Sequence, residues 1–391
     1  MLLQLLAVLQ APTADTLTLA DALRLARDRR GALVIASANV AVARAEQRQA
    51  GAIPNPVARL GYTDDPPHGH ATAEQSLEWL LTRGPARSAS GQRVAAALAD
   101  SAQRSADLGA EVRGAFYRAV AAQRALTLAQ AQQALEDSLV TIADRRLAAG
   151  DISRIERDQA ALEAGRTRLD LSTARELLAT TRMELGRTIG LLPDESLPEP
   201  VGRLDVGLGD ALVDTRTATP AAVVAALADS TAAALRVGVA SRARLPLPTL
   251  EAGADWDDPS ASGALLVLGL SLPLPLWQHG GAQLAQAEAE AVRAAAASQE
   301  VRSAMRSSQR ATRTRVAEAA LRALVLRDTL VPAARALRAS ATRAWAMGET
   351  GILPVLDAFR SERALELGLI EALVTWRDAI TEWNRLTGNE P

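Results

Sequence analysis

The chain has neither cysteine nor lysine among its 391 residues. Without cysteine there is no disulfide, zinc–thiolate site, thiol nucleophile or lipid anchor on an N-terminal cysteine. Without lysine, arginine supplies all 43 basic charges, mixed with 45 acids through helix-forming sequence. Net charge is -2, so no global field draws nucleic acid, and the arginine-rich segments lack the interleaved aromatics of a nucleic-acid surface. Aromatics are scarce too, at 3% of a chain that is 48% hydrophobic. Alanine and leucine fill the difference, which suits closely packed helices better than a bulky globular core. No run of 18 apolar residues occurs, which speaks against a membrane-spanning helix. The nearest candidate, Ala264–Trp277, is broken by Gly269, Pro273 and Pro275 and reads better as a strand. Phosphate loops, Rossmann glycines and nucleophile elbows are also missing. The chain is therefore read as a non-enzyme with no catalytic residue, no cofactor and no resident metal. His68-Gly69-His70 with Glu74 is the nearest approach to a metal-ligand cluster.

The N-terminus carries an apolar run, Leu2 to Leu9, with the character of a secretory signal core and a cut near Ala14. Residues 1–14 are assigned to it, although a positive n-region is lacking and Pro12 sits awkwardly before the cut. The plainer reading is a frayed terminal segment.

What is present is a repeat. Pro54, Pro56 and Gly61 recur 192 residues later as Pro246, Pro248 and Gly253, and each segment runs on into an acidic turn containing proline. Gly150 and Gly348 are 198 apart, as are Gly190 and Gly388. Leu171, Leu178 and Leu185 keep a seven-residue spacing that the same offset maps onto Leu369, Trp376 and Trp383. A shared heptad phase in both halves marks two copies of one plan. The copies span 15–191 and 219–391, joined by a Pro/Gly-rich linker, 192–218. Thr18 and Asp21 look like a capping box opening the first helix; Thr219-Pro220 reads as a cap followed by proline at the first helical position.

Each copy contains two short alternating segments. Strands are expected at about 57–63, 75–82, 249–256 and 264–274. One face carries Leu60, Tyr62, Leu77, Trp79, Leu250, Trp256, Leu266 and Leu268, and the other carries Arg59, Glu78, Glu251 and Asp255. A soluble antiparallel sheet on helices would fit. So would a membrane barrel wall, apolar to lipid and polar to a lumen lined by those four charged residues. Tyr62, Trp256 and Trp277 near the strand ends suit interfacial positions. Four strands cannot close a barrel, and open edges are unacceptable in lipid, so the membrane reading requires oligomerisation; three chains would give twelve strands. The stretches Ser90–Ala149 and Gln283–Met347 are long helices, the first reaching roughly 90 Å. Lengths of that order imply coiled coils or a helical tube. The fold class is therefore mainly α with a small β part, turning at hairpins near 150 and near 348–354.

The order and repetition of these features resemble the TolC-type outer-membrane factors. The motifs that carry the resemblance are LTLADALRLA (Leu17–Ala26), QAGAIPNP (Gln49–Pro56), GLSLPLPLW (Gly269–Trp277) and the two glycine breaks. The family's heavy-metal-efflux branch is one candidate placement. The resemblance implies a homotrimer in outer-membrane lipid, a twelve-stranded barrel on a helical tunnel through the periplasm. It implies a periplasmic adaptor docking at the turns around Gly150, Gly348, Gly351 and Pro354, and an inner-membrane pump, of RND type, supplying energy. It also implies an acidic constriction just after the second turn. One family position falls on Asp357; the other falls on Pro354, a departure. Glu156, with Asp158 nearby, is the first-half counterpart. Arg30-Gly31 also departs, standing where many relatives have Asn-Pro. These acids could narrow a pore or cap the returning helices, where the dipole favours negative charge. Two other functions remain open at this stage, a soluble coiled-coil scaffold and a duct for protein secretion.

Overall fold

The computed structural model describes residues 16–192, 194–209, 219–260 and 262–388. The proposed signal segment and the end of the linker, 210–218, lie outside them. Two compact units share the chain, each drawing on both sequence repeats: one from residues 1–31, 105–218 and 307–391, the other from 32–104 and 219–306.

The second of these units holds a four-stranded antiparallel sheet. Its strands are β2 (Val57–Tyr62), β3 (Gly69–Ser76), β5 (Thr249–Trp256) and β6 (Leu265–Ser271), in the order β2-β3-β5-β6. Three strands lie near their expected places and β5 matches it fully. The second strand does not. It is displaced toward the hairpin turn, so Leu77 and Glu78 lie past its end and Trp79 opens a helix. The Leu77/Trp79/Leu81 alternation is a corner, where the Leu77 N–H still bonds the Pro248 carbonyl at 3.1 Å and the Leu80 N–H turns back to the Leu77 carbonyl at 3.0 Å. Strand β6 stops at Ser271, before Pro273 and Pro275, which cannot donate to a ladder. The same unit holds α2 (Gly31–Ala50), the start of α3 (Trp79–Ala149), α5 (Ala221–Ala243) and the start of α6 (Gly281–Val325). Pro220 is the N-cap of α5 instead of its first helical residue, and no side chain caps that end. Among the described residues α5 is the one helix long and apolar enough by composition to cross a membrane. Asp229 and Arg236 interrupt it, and it buries Val223, Ala225, Ala228, Ala232 and Ala233 in its unit.

The other unit is helical. Thr18 caps α1 (Leu19–Arg29), accepting from the Asp21 N–H at 3.2 Å. The chain breaks at Arg30, where the backbone is extended. The remainder of α3 pairs through a turn at Gly150 with α4 (Arg154–Ile189), and α7 (Val331–Ala346) pairs through a turn at Gly348 with α8 (Leu353–Thr387). Ahead of α7 the five residues Leu326–Leu330 widen into a π turn. Pro332 follows at once, and the bulge relieves the clash a proline ring makes with the carbonyl four residues back. Three of the six heptad residues, Leu185, Leu369 and Trp376, are buried, with Val112, Ala115, Phe116 and Leu373 among their unit's buried residues, while Leu171, Leu178 and Trp383 are half-buried. Two short strands, β1 (Thr16–Leu17) and β4 (Glu199–Pro200), pair in parallel and tie the linker to the chain start. Arg377 completes this anchorage. Its guanidinium donates to the carbonyls of Leu204 (2.8 Å), Val206 (2.9 Å) and Arg203 (3.1 Å) and stacks on Tyr117 and Trp376.

Candidate functional site

Two places concentrate polar groups that the fold alone does not demand: one face of the sheet and the paired hairpin tips.

Strand register settles the faces of the sheet. Ala58, Ala73, Ala252 and Leu268 stand in one row, and Leu60, Ala71, Ala254 and Leu266 in the next. Alternation then puts Leu250, Leu270, Tyr62 and Trp256 on the same side. This face carries no charge, yet it is open: Leu60 is 81% exposed, Leu266 76% and Leu268 74%. Tyr62 and Trp256 sit together at one end across Gly69, where a Cβ on residue 69 would come within 2.2 Å of the Trp256 ring. Trp277 follows the exit of β6 at the other end and is 88% exposed.

The opposite face is polar, and part of it is internally paired. Arg59 meets Glu74 at 2.8 Å. His70 Nδ1 lies 2.9 Å from Asp255, directly across the strand pair, and its Nε2 lies 3.0 Å from the Thr63 hydroxyl. Both His70 nitrogens are thus engaged by protein. Glu251 lies beside Gly269 on this face. Three of the four expected lumen residues, Arg59, Glu251 and Asp255, therefore share one face. Glu78 does not belong with them, since it lies in the turn before α3.

At the tips the two repeats make the same turn. Gly150 and Gly348 have φ of 80° and 77°, the left-handed region where a Cβ is costly. Asp151 N–H bonds the Arg146 carbonyl at 2.8 Å and Glu349 N–H the Ala344 carbonyl at 2.9 Å. These are matching Schellman closures one residue past each glycine. The tips are joined by Arg146, which donates to the Trp345 carbonyl at 2.6 Å and lies 4.9 Å over its ring. Beneath them Leu139, Ala143, Ala160, Trp345, Ile352, Val355, Leu356 and Phe359 form one buried cluster.

Glu156 belongs to a complete capping box. Its carboxylate accepts from the Ser153 N–H at 3.0 Å, while the Ser153 hydroxyl accepts from the Glu156 N–H at 3.2 Å. The Ser153 backbone bond, the Ile352 N–H and Arg146 hold this carboxyl below the usual range against the effect of burial. Ile352 is the N-cap of α8 and has no side-chain cap of its own. Glu156 thus serves both returning helices, with Gly351 packed close to its Oε1. Because its pKa is lowered in the fold, Glu156 contributes stability above its ordinary value of 4.5, and that contribution fades as pH falls through the lowered value. Glu156→Ala is expected to cost about 1 kcal/mol of local stability. Hydrogen exchange of amides 151–158 should speed up at neutral pH, and the difference from the parent should shrink in acid.

Asp357 is different. Its side chain is 73% exposed, and among the described residues its ion pair is with Arg360, at 3.3 Å on its own helix. Asp158 is also open, between Arg157 at 3.3 Å and Arg154 at 3.9 Å. Pro354 lies in the first turn of α8.

Further along the hairpins lies a charged hub that sequence reasoning missed. Glu163 is 1% exposed. It is held by Arg360 at 2.7 Å and by Arg363 and Arg166 at 3.2 Å each. Burial pushes its pKa up, but the arginines prevail and hold it below the usual range. Its neighbour Glu136, buried and bonded to Thr167, goes the other way because burial outweighs Thr167 and Arg363. A signal did exist: Glu163 and Arg360 are separated by 197 residues, one short of the repeat offset. Opposite charges on equivalent helices at that offset are candidates for a cross-repeat pair.

No family model matches the sequence. The cobalt-zinc-cadmium resistance protein CzcC of Cupriavidus metallidurans is 25% identical over 285 residues, covering 72% of this chain and 68% of that protein. Among solved structures, the outer membrane protein VceC of Vibrio cholerae superposes with a TM-score of 0.78 at 20% identity, over 95% of this chain and 97% of that one. The open-state MtrE outer membrane channel of Neisseria gonorrhoeae gives 0.74 at 18% identity, over 95% and 88%. In fold the chain is similar to these outer-membrane channels, and in sequence it is similar to CzcC.

Proposed function

We propose that the chain is one of three identical subunits of a passive outer-membrane efflux duct. The carrying observation is the sheet: one uncharged, open face backed by a polar face that holds Arg59, Glu74, His70, Glu251 and Asp255, in a sheet whose edges among the described residues, β2 and β6, are unpaired. Lipid is the solvent that suits such a face. Closure with two further copies removes the edges, giving twelve strands. The helical hairpins then stand in the periplasm, with their tips toward an adaptor and an inner-membrane pump that supplies the energy. The cargo is small molecules or metal ions. The name of the curated relative favours the latter, and the genes encoded alongside would discriminate. Cell fractionation tests the reading. The protein is expected in the outer-membrane fraction, migrating on gels as a compact trimer until boiled. A protein confined to the soluble fraction with no heat-dependent shift would instead be a coiled-coil scaffold.

Within this reading Asp357 is the gate. Glu156 is committed to capping, whereas Asp357 is exposed and repeats three times around the axis, making a negative constriction. Asp357→Ala is expected to raise single-channel conductance and weaken block by divalent cations in planar bilayers. Unchanged conductance and block would assign Asp357 to the helix start alone.

A further inference from the structure

Helix α6 carries an arginine row that neither the fold nor the repeat explains. Between Val301 and Val325 there are six arginines and one acid, Glu318. Arg306, Arg310 and Arg313 follow each other at spacings of four and three, which stacks them on one helix face. All three are exposed, and none has an ion-pair partner among the described residues. One repeat earlier, 198 residues back, the same positions are Leu108, Val112 and Ala115. Those three are core, at 5%, 0% and 1% exposure. The second repeat has therefore turned a packing face into a wet, positive one.

Unpaired guanidiniums cannot be covered by an apolar neighbour, because burying an uncompensated charge costs several kcal/mol. The row must face water or anions. Resting on the duct reading above, we infer that Arg306, Arg310 and Arg313 face the passage and, repeated by three subunits, form a belt that collects small multivalent anions such as phosphates and polycarboxylates. A passage lined by one sign of charge raises the local concentration of counter-ions about 10-fold or more. Arginine's planar fork suits carboxylate and phosphate oxygens in particular. The belt repels bare divalent cations, so metal cargo would cross it as anionic complexes. It is a second charge zone, opposite in sign to Asp357 and more than thirty residues from it in sequence.

The test is block of single-channel current by inorganic triphosphate, using the full-length protein in planar bilayers. The parent is expected to be blocked in a salt-sensitive way. The triple variant Arg306→Gln/Arg310→Gln/Arg313→Gln should raise the half-blocking concentration about 10-fold or more, while Arg24→Gln, an exposed i,i+3-paired arginine, leaves it unchanged. A conducting parent that triphosphate does not block, or a triple variant blocked like the parent, overturns the belt and leaves the duct standing. A triple variant that loses the unboiled trimer band would overturn it too, and would place the row against acids of the next subunit. A parent that carries no current in the bilayer overturns the duct itself, and the belt with it.

Discussion

Replacing Glu163 by alanine is expected to lower the thermal stability of the helical unit sharply. The expected loss is about 3 kcal/mol, the lower end of the cost of removing one partner from a buried ion pair, because Arg363 and Arg360 each keep a second acid. Glu163 is the common acceptor for Arg360, Arg363 and Arg166, and Arg363 is itself largely buried, with Asp170 at 3.1 Å and Glu136 at 3.9 Å as its other acids. Without Glu163, the buried Arg363 keeps only the half-exposed Asp170 and a distant Glu136, and Arg360 keeps only Asp357. The readout is the melting temperature of the helical circular dichroism signal in detergent. Pairing Glu163→Ala with Arg360→Ala and Arg363→Met should recover much of the loss, since the offending charges go with their partner. A Glu163→Ala protein that melts within a degree of the parent would mean that water reaches the hub and that the two hairpins do not depend on it.

The second large effect is expected on the sheet. Leu268 stands mid-row with Ala58, Ala73 and Ala252 and is 74% exposed. If that face met water, Leu268→Arg would be an ordinary surface change, within about 0.5 kcal/mol. If it meets lipid, an arginine near the bilayer midplane costs about 2–4 kcal/mol in each copy, and the yield of heat-shifting, membrane-inserted protein should collapse. Val267→Arg puts the same charge one residue away on the opposite face, beside Gly253 and Thr72. It should be tolerated. Equal yields from the two variants would remove the distinction between the faces on which the duct reading depends.

The parts legible in the sequence were those written twice. Gly150 and Gly348 located both hairpin tips because a left-handed turn leaves few alternatives to glycine. Strand β5 was legible because its alternation is uninterrupted and its neighbours are prolines. The second strand was misplaced because Leu77, Trp79 and Leu81 alternate as a strand would, while the pairing of β3 with β5 ends at Ser76. Only the partner strand fixes that register, and Glu78 fell off the polar face as a result. The Glu163 hub was missed for a related reason, although its 197-residue separation from Arg360 marked it. Acids and arginines are scattered along every helix, and which of them turn inward is decided by the facing helix. Arg377 is the same case: its partners are backbone carbonyls of a linker, which leave no mark in the sequence.

The central claim is that the apolar face of the sheet lies against lipid while the polar face lines water. Because the native chain has no cysteine, single cysteines report cleanly on each face. Leu268→Cys and Thr72→Cys sit in the middle of the sheet on opposite faces. With outer membranes treated with a small, charged, membrane-impermeant thiol reagent, Thr72→Cys should be labelled and Leu268→Cys should stay unlabelled until the membrane is dissolved and the protein unfolded. Ready labelling of Leu268→Cys in the intact membrane would contradict the account.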